Sequence, residues 1–166
     1  MNSDTLHSLN LLKFKEVDFN AYFSLVSNEK VMAQITEYAI PLKEAQFNFQ
    51  RLLKRNEKHE HFGTYKIYDN LINEFIGLGH LTIDEENNEE AEIGYMLKPE
   101  YWGKGYGGQI AKVLIERALK LELKTLKAII DPDNIASRKI LIKRGFVSEK
   151  IGKFDGLPGE ILSKKL

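Results

Sequence analysis

Gly103, Gly105, Gly107 and Gly108 put four glycines into six positions of the segment Tyr101-Trp102-Gly103-Lys104-Gly105-Tyr106-Gly107-Gly108. A glycine inside a regular element costs about 0.5–1 kcal/mol relative to alanine. A run of them at the start of a helix therefore needs a reason other than stability. Bare amides at a helix N-terminus point outward, carry the positive end of the helix dipole and can cradle a phosphate or a diphosphate. Lys104 adds a cation beside them. Two nucleotide motifs compete for this turn. Gly103, Gly105 and Gly108 satisfy G-x-G-x-x-G, and Asp131 follows 23 positions after Gly108, near the acidic position of a dinucleotide fold. The context is wrong, because residues 98–102 separate the strand from the first glycine and too little chain follows Asp131 for further βα units. The G-x-x-x-x-G-K-[ST] phosphate loop is absent, since no Ser or Thr follows Lys104.

The elements that must hold this turn can be read from periodicity. Leu9 to Phe14 reads as a first strand, Asp18 as the cap of a short helix ending near Ser27, and Asn28 to Ala33 as a further helical turn. Leu42, Ala45, Phe49, Leu52 and Leu53 recur at helical spacing up to about Lys58. Phe62 to Tyr68, Glu74 to Ile83 and Ala91 to Leu97 are β-rich segments, separated by Asp69-Asn70 and by the acidic run Asp84 to Glu90. Ile110, Ala111, Leu114, Ala118 and Leu121 mark a helix after the glycine turn, and Thr125 to Ile130 a short strand. Asn134 can cap a helix that stops at Gly145. Two last strands, Phe146 to Phe154 and Glu160 to Lys164, are joined by residues 155–159.

Composition narrows the function. The 166 residues are 43% apolar and 29% charged, which suits one globular domain over residues 1–166. The absence of cysteine excludes disulfides, thiolate metal sites and a cysteine nucleophile. Lys and Arg total 24, as do Asp and Glu, so no global field attracts nucleic acid. Met1 to Thr5 holds no cationic stretch with an apolar run behind it, and nowhere do about 18 apolar residues run together. The expectation is a cytoplasmic protein that neither enters a membrane nor binds nucleic acid. His59 and His61 flank Glu60 without a third partner, so no metal site is expected there.

Trp102-Gly103-Lys104-Gly105-Tyr106-Gly107 resembles the acetyl-CoA motif [Q/R]-x-x-G-x-[G/A] of the GNAT superfamily of N-acetyltransferases, matching both glycine positions. Trp102 stands where that motif has Gln or Arg, and the surrounding Tyr-Trp-Gly-x-Gly-Tyr resembles the ribosomal-protein N-acetyltransferase-like branch. Ala91 to Leu97 is similar to that branch's fourth strand, and Asn134 to Ser137 with Lys143 to Phe146 to its N-x-x-S and K-x-G-F signatures. The resemblance covers about residues 74–150. It implies an α/β (α+β) GNAT fold: a mixed, mostly antiparallel sheet of about seven strands, its parallel fourth and fifth strands splayed, flanked by about four helices. It also implies acetyl-CoA as cosubstrate, without metal, and direct transfer to a primary amine in a ternary complex. The acceptor is a protein N-terminus or a small-molecule amine, and a homodimer is possible.

Residue roles follow from the same resemblance. The pantetheine arm pairs with the main chain of Tyr95, Met96 and Leu97, and an amide near Met96 or Leu97 serves the oxyanion. The diphosphate rests on Gly103, Lys104, Gly105, Tyr106, Gly107 and Gly108 beside Trp102. Lys104 or the pair Arg138-Lys139 meets the remaining phosphate, unless the pair is a solvated helix face. Asn134 caps its helix or also reaches the arm. Glu92 is the first candidate base, with its placement in a solvated acidic turn as the alternative, and His80 is the second. The phenol that many relatives place before Gly-Phe is replaced by Leu141, leaving Ser137 as the acid or as a small residue that admits the coenzyme. That substitution also suits a rival reading, a catalytically weak coenzyme A-binding sensor.

Overall fold

The computed structural model describes residues 8–166, so the reading of Met1 to Thr5 lies outside the described residues. β1 (Leu9–Lys13), α1 (Phe19–Val26), α2 (Glu29–Met32) and α3 (Leu42–Lys58) come first. The meander β2 (Gly63–Asp69), β3 (Glu74–Asp84) and β4 (Asn87–Leu97) follows, then α4 (Tyr106–Leu119), β5 (Thr125–Ile130), α5 (Ile135–Lys143), β6 (Val147–Phe154) and β7 (Leu157–Lys165). Among the described residues the strands form one sheet in the order β1-β2-β3-β4-β5-β7-β6. All neighbours are antiparallel except β4 and β5. This is the mixed α/β sheet expected from the sequence.

Strand alternation divides the core between the two faces of the sheet. Ile67, Ile76, Leu81, Ile93, Leu126 and Leu162 pack with Ile110 and Leu114 of α4. On the opposite face Leu78 and Met96 meet a cluster built from Phe14, Tyr22, Leu25, Phe49 and Leu52, which belongs to α1, α3 and the loop after β1. Phe47 is 65% exposed. The buried face of α3 carries Ala45, Phe49, Leu52 and Asn56, and two residues before Phe49 the helix has turned about 200° away.

Three local expectations are corrected. The acidic run is mostly strand rather than loop: β4 begins at Asn87, leaving a tight turn of Glu85 and Glu86, because an antiparallel hairpin can keep its ladder while its side chains, here exposed through Glu89, stay in solvent. β7 begins at Leu157, since Asp155 and Gly156, with φ of 51° and 79°, make the two-residue turn that matches strand twist. Asp18 does not cap α1. Its carboxylate accepts from the Lys15 amide at 2.8 Å and pairs with Lys66 at 2.9 Å, tying the helix entry to β2.

Candidate active site

β4 and β5 pair only over Glu90–Glu92 with Thr125–Lys127. Beyond Glu92 they diverge, and the gap becomes a cleft of about 700 Å³. Lys98 donates its amide to the Ile76 carbonyl of β3 at 2.9 Å. Main-chain groups alternate along an antiparallel strand, so Met96 also turns its N–H and C=O toward β3. A side chain on Gly77 would strike the Met96 carbonyl oxygen, which confirms that direction. Tyr95 and Leu97 therefore own the open edge. The Trp102 indole donates to the Leu97 carbonyl at 2.9 Å, fixing the strand end to the glycine turn.

At that turn the glycines have different jobs. Gly103 and Gly105 have φ of 72° and 87°, a region that residues with a Cβ rarely adopt. Gly107 lets Tyr95 and Ile140 close in, because a Cβ there would lie 2.9 Å from the Tyr95 hydroxyl and 3.0 Å from Ile140. Gly108 is different: a Cβ would meet nothing within 4 Å, and the residue lines the cleft. Gly105 is the N-cap of α4 and offers no side chain to the first amides of the helix. The first amides of a helix have no acceptor within the helix itself, and such donors suit an anionic oxygen.

α5 forms the far wall. Asn134 accepts from the Ser137 amide at 3.1 Å, so its N-cap role is met. The Ser137 hydroxyl lies 3.1 Å from that of Tyr95. Burial pushes the Tyr95 phenol above its ordinary pKa, and the Ser137 bond partly offsets this. Of the residues expected from sequence, Tyr95, Met96, Leu97, Trp102, Gly103, Gly105, Tyr106, Gly107, Gly108, Asn134 and Ser137 gather around this cleft, with Leu141 in its wall. Lys104 is outside the lining, its ammonium 6.0 Å from the Tyr101 ring centre. Arg138 does not face a phosphate: its guanidinium Nε reaches both oxygens of buried Glu160, at 3.0 and 3.3 Å. The cations that do line the cleft are Lys30, Lys143 and Arg144, the last 3.4 Å from the Gly108 carbonyl. Lys143 and Arg144 were visible in the K-x-G-F signature, but only as a signature.

Tyr106 donates to buried Asp69 at 2.6 Å, joining the glycine turn to β2. Burial first, then this carboxylate, drive the phenol far above its usual range.

Glu92 lies in a second cavity, of about 590 Å³, on the α3 face of the sheet. Arg55, Thr64, His80, Thr82, Glu92 and Lys127 contribute to its wall. His80 and Ile129 line both cavities, so the two meet at the closed end of the splayed strands. The His80 ring lies against Gly94, where a Cβ would come 2.4 Å from Nε2, and its Nδ1 hydrogen-bonds Thr82 Oγ1 at 2.7 Å. Burial, helped by Arg55, lowers its pKa to about 4. Nε2 is 3.7 Å from the Glu92 carboxylate. Burial raises the Glu92 pKa and Lys127 counters it. A neutral imidazole and a carboxylate that holds its proton more tightly than usual thus share one corner. Among the described residues no group of three or more His, Asp or Glu could hold a metal ion, and no helix is long and apolar enough to cross a membrane.

Residues 8–147 match the Acetyltransferase (GNAT) domain family, and the chain belongs to it. It is similar to YnaD, an uncharacterized N-acetyltransferase of Bacillus subtilis, at 26% identity over 87% of this chain and 82% of that one. It is also similar to YoaA of the same organism, at 36% identity over 40% of this chain, but that match spans only 38% of the relative's length. In fold it resembles a spermidine N-acetyltransferase from Vibrio cholerae solved with CoA and spermine. The TM-score is 0.79, at 18% identity over 95% of each chain.

Proposed function

We propose that the chain transfers an acetyl group from acetyl-CoA to a primary amine, directly, within a ternary complex. The observation that carries this is the meeting of two cavities at His80 and Ile129: one runs along the open edge of β4 to bare amides, the other holds a carboxylate. The V. cholerae neighbour was solved with CoA, and the family membership supports the same cosubstrate here. The diphosphate would rest on the first amides of α4, with Lys143 and Arg144 at its flank. The pantetheine arm would pair with Tyr95 and Leu97, as an extended chain adds to a strand edge. Because the Leu97 carbonyl is held by Trp102 beside the phosphate end, the thioester falls toward Tyr95, whose N–H then suits the oxyanion better than that of Leu97.

Glu92 takes the proton of the acceptor ammonium, and the amine lone pair attacks the thioester carbonyl. As the tetrahedral adduct collapses the C–S bond breaks, and Ser137 can supply the proton that the departing thiolate takes. The motifs at Tyr101 to Tyr106 and at Asn134 to Ser137 favour the ribosomal-protein N-acetyltransferase-like branch. The test is release of free thiol from acetyl-CoA with a panel of amines, read together with calorimetric coenzyme binding. Amine-dependent release supports the assignment. Coenzyme binding with no product from any amine would replace it with the sensor reading.

A further inference from the structure

The second cavity carries charges of both signs. Its wall carries Asp84, Glu90 and Glu92 against Arg55 and Lys127, with His80 beside them. Lys127 is committed to Glu90 at 3.2 Å. The neighbouring cation on α3, Lys58, is committed to Glu85 at 3.2 Å. Arg55 has no ion-pair partner among the described residues, yet it borders the cavity and is close enough to His80 to disfavour the imidazolium. At one end, then, the cavity offers Glu92 and His80 next to the reacting cleft. On its α3 side it offers an uncommitted guanidinium and the Thr64 hydroxyl.

A guanidinium is a planar fork of donors that fits a carboxylate with two parallel hydrogen bonds. An acceptor with only amines would set a positive group against Arg55 and leave the fork unused. We infer that the acceptor is a small amine that also carries an anionic group, of the amino-acid type, with its nitrogen at Glu92 and its carboxylate on Arg55. This rests on the acetyl-transfer reading and narrows its substrate class. It separates this chain from the V. cholerae neighbour crystallised with spermine.

The experiment compares matched pairs: leucine, methionine and glutamate against their α-carboxamides, β-alanine and γ-aminobutyrate to vary the spacing, and spermine and kanamycin as polycations. Thiol release from acetyl-CoA is read for each. In parallel, each amine is titrated calorimetrically into the protein–CoA complex. At least one acid should exceed its amide by about tenfold or more in kcat/KM, as expected when a charged hydrogen-bonding partner is lost. Arg55→Gln should erase that preference by raising KM with kcat nearly unchanged, and Arg55→Lys should restore part of it. Arg55 is exposed on its helix, and a thermal melt checks that the variants stay folded. Equal rates for acid and amide, better turnover of spermine or kanamycin, or a preference that survives Arg55→Gln would overturn the proposal. Arg55-dependent binding of an acid without thiol release would uphold it while sinking the transfer reading. Failure of every acid to bind the complex would sink it.

Discussion

The hydroxyls of Tyr95 and Ser137 stand 3.1 Å apart and join the C-terminal end of β4 to the first turn of α5 across the cleft. Where many relatives have a phenol on this helix the chain has buried Leu141, so a phenol reaching in from the opposite strand is a natural proton store for Ser137. A phenol is protonated at neutral pH in any case, and burial moves this one further in that direction. If the two act as one relay, Ser137→Ala and Tyr95→Phe should each lower kcat by about a hundredfold, the lower end of the range for general acid catalysis. The double variant should be little worse than either single one, as for residues acting as a unit. Steady-state kinetics on the four proteins checks this; effects that multiply would show independent roles.

Glu92 predicts a pH dependence. Its pKa is raised by burial, so the acidic limb of kcat/KM should lie above the ordinary carboxylate range. Lys127 lowers that pKa, so Lys127→Gln should move the limb to higher pH. Glu92→Gln should remove the limb and cost about a hundredfold or more in kcat/KM. The linkage runs in the matching direction. A carboxylate that binds its proton more tightly when folded loses stability as pH rises from the unfolded toward the folded pKa. Glu92→Gln should therefore melt higher than the parent protein at neutral pH, measured by calorimetry across the pH range.

Arg138 and Glu160 make the opposite prediction. Glu160 is fully buried and its pKa is held down: burial alone would raise it, but hydrogen bonds from Ser148 and Arg138 prevail. Arg138→Met strands that charge and should cost about 2–4 kcal/mol, discounted because the arginine is itself partly exposed. Urea unfolding measures it. The pair ties α5 to β7, so coenzyme affinity should fall as well, and Arg138→Met/Glu160→Leu should recover most of the stability. The sign reverses that of Glu92: this contribution is present above the ordinary carboxylate pKa and is lost as pH falls through the lowered one.

α4 was legible because it buries a periodic face: Ile110, Ala111, Leu114 and Ala118 recur at helical spacing, and those residues are buried. Turns were harder where charge resembles loop composition. Asp84 to Glu90 reads as a solvated tip, yet most of it is strand. The cleft was legible through its glycines, but not the division of labour among them, which depends on φ and on neighbours from β4 and α5. The partner of Arg138 lies 22 residues away on β7, and Arg55 faces its cavity only because α3 packs over β2 and β3. Long-range placements of that kind leave no local pattern. Gly94 is a similar case, required by a histidine on the adjacent strand.

Gly108 gives the most direct test. Alanine there meets no neighbour and lies inside α4, where it should stabilise the protein by about 0.5–1 kcal/mol. Its methyl group would also project where the diphosphate must approach the amides. Calorimetric titration of Gly108→Ala and Gly108→Val with coenzyme A should show affinity falling by about tenfold and then further, in proteins that melt no lower than the parent for the alanine variant. Undiminished affinity in both folded variants would contradict the account.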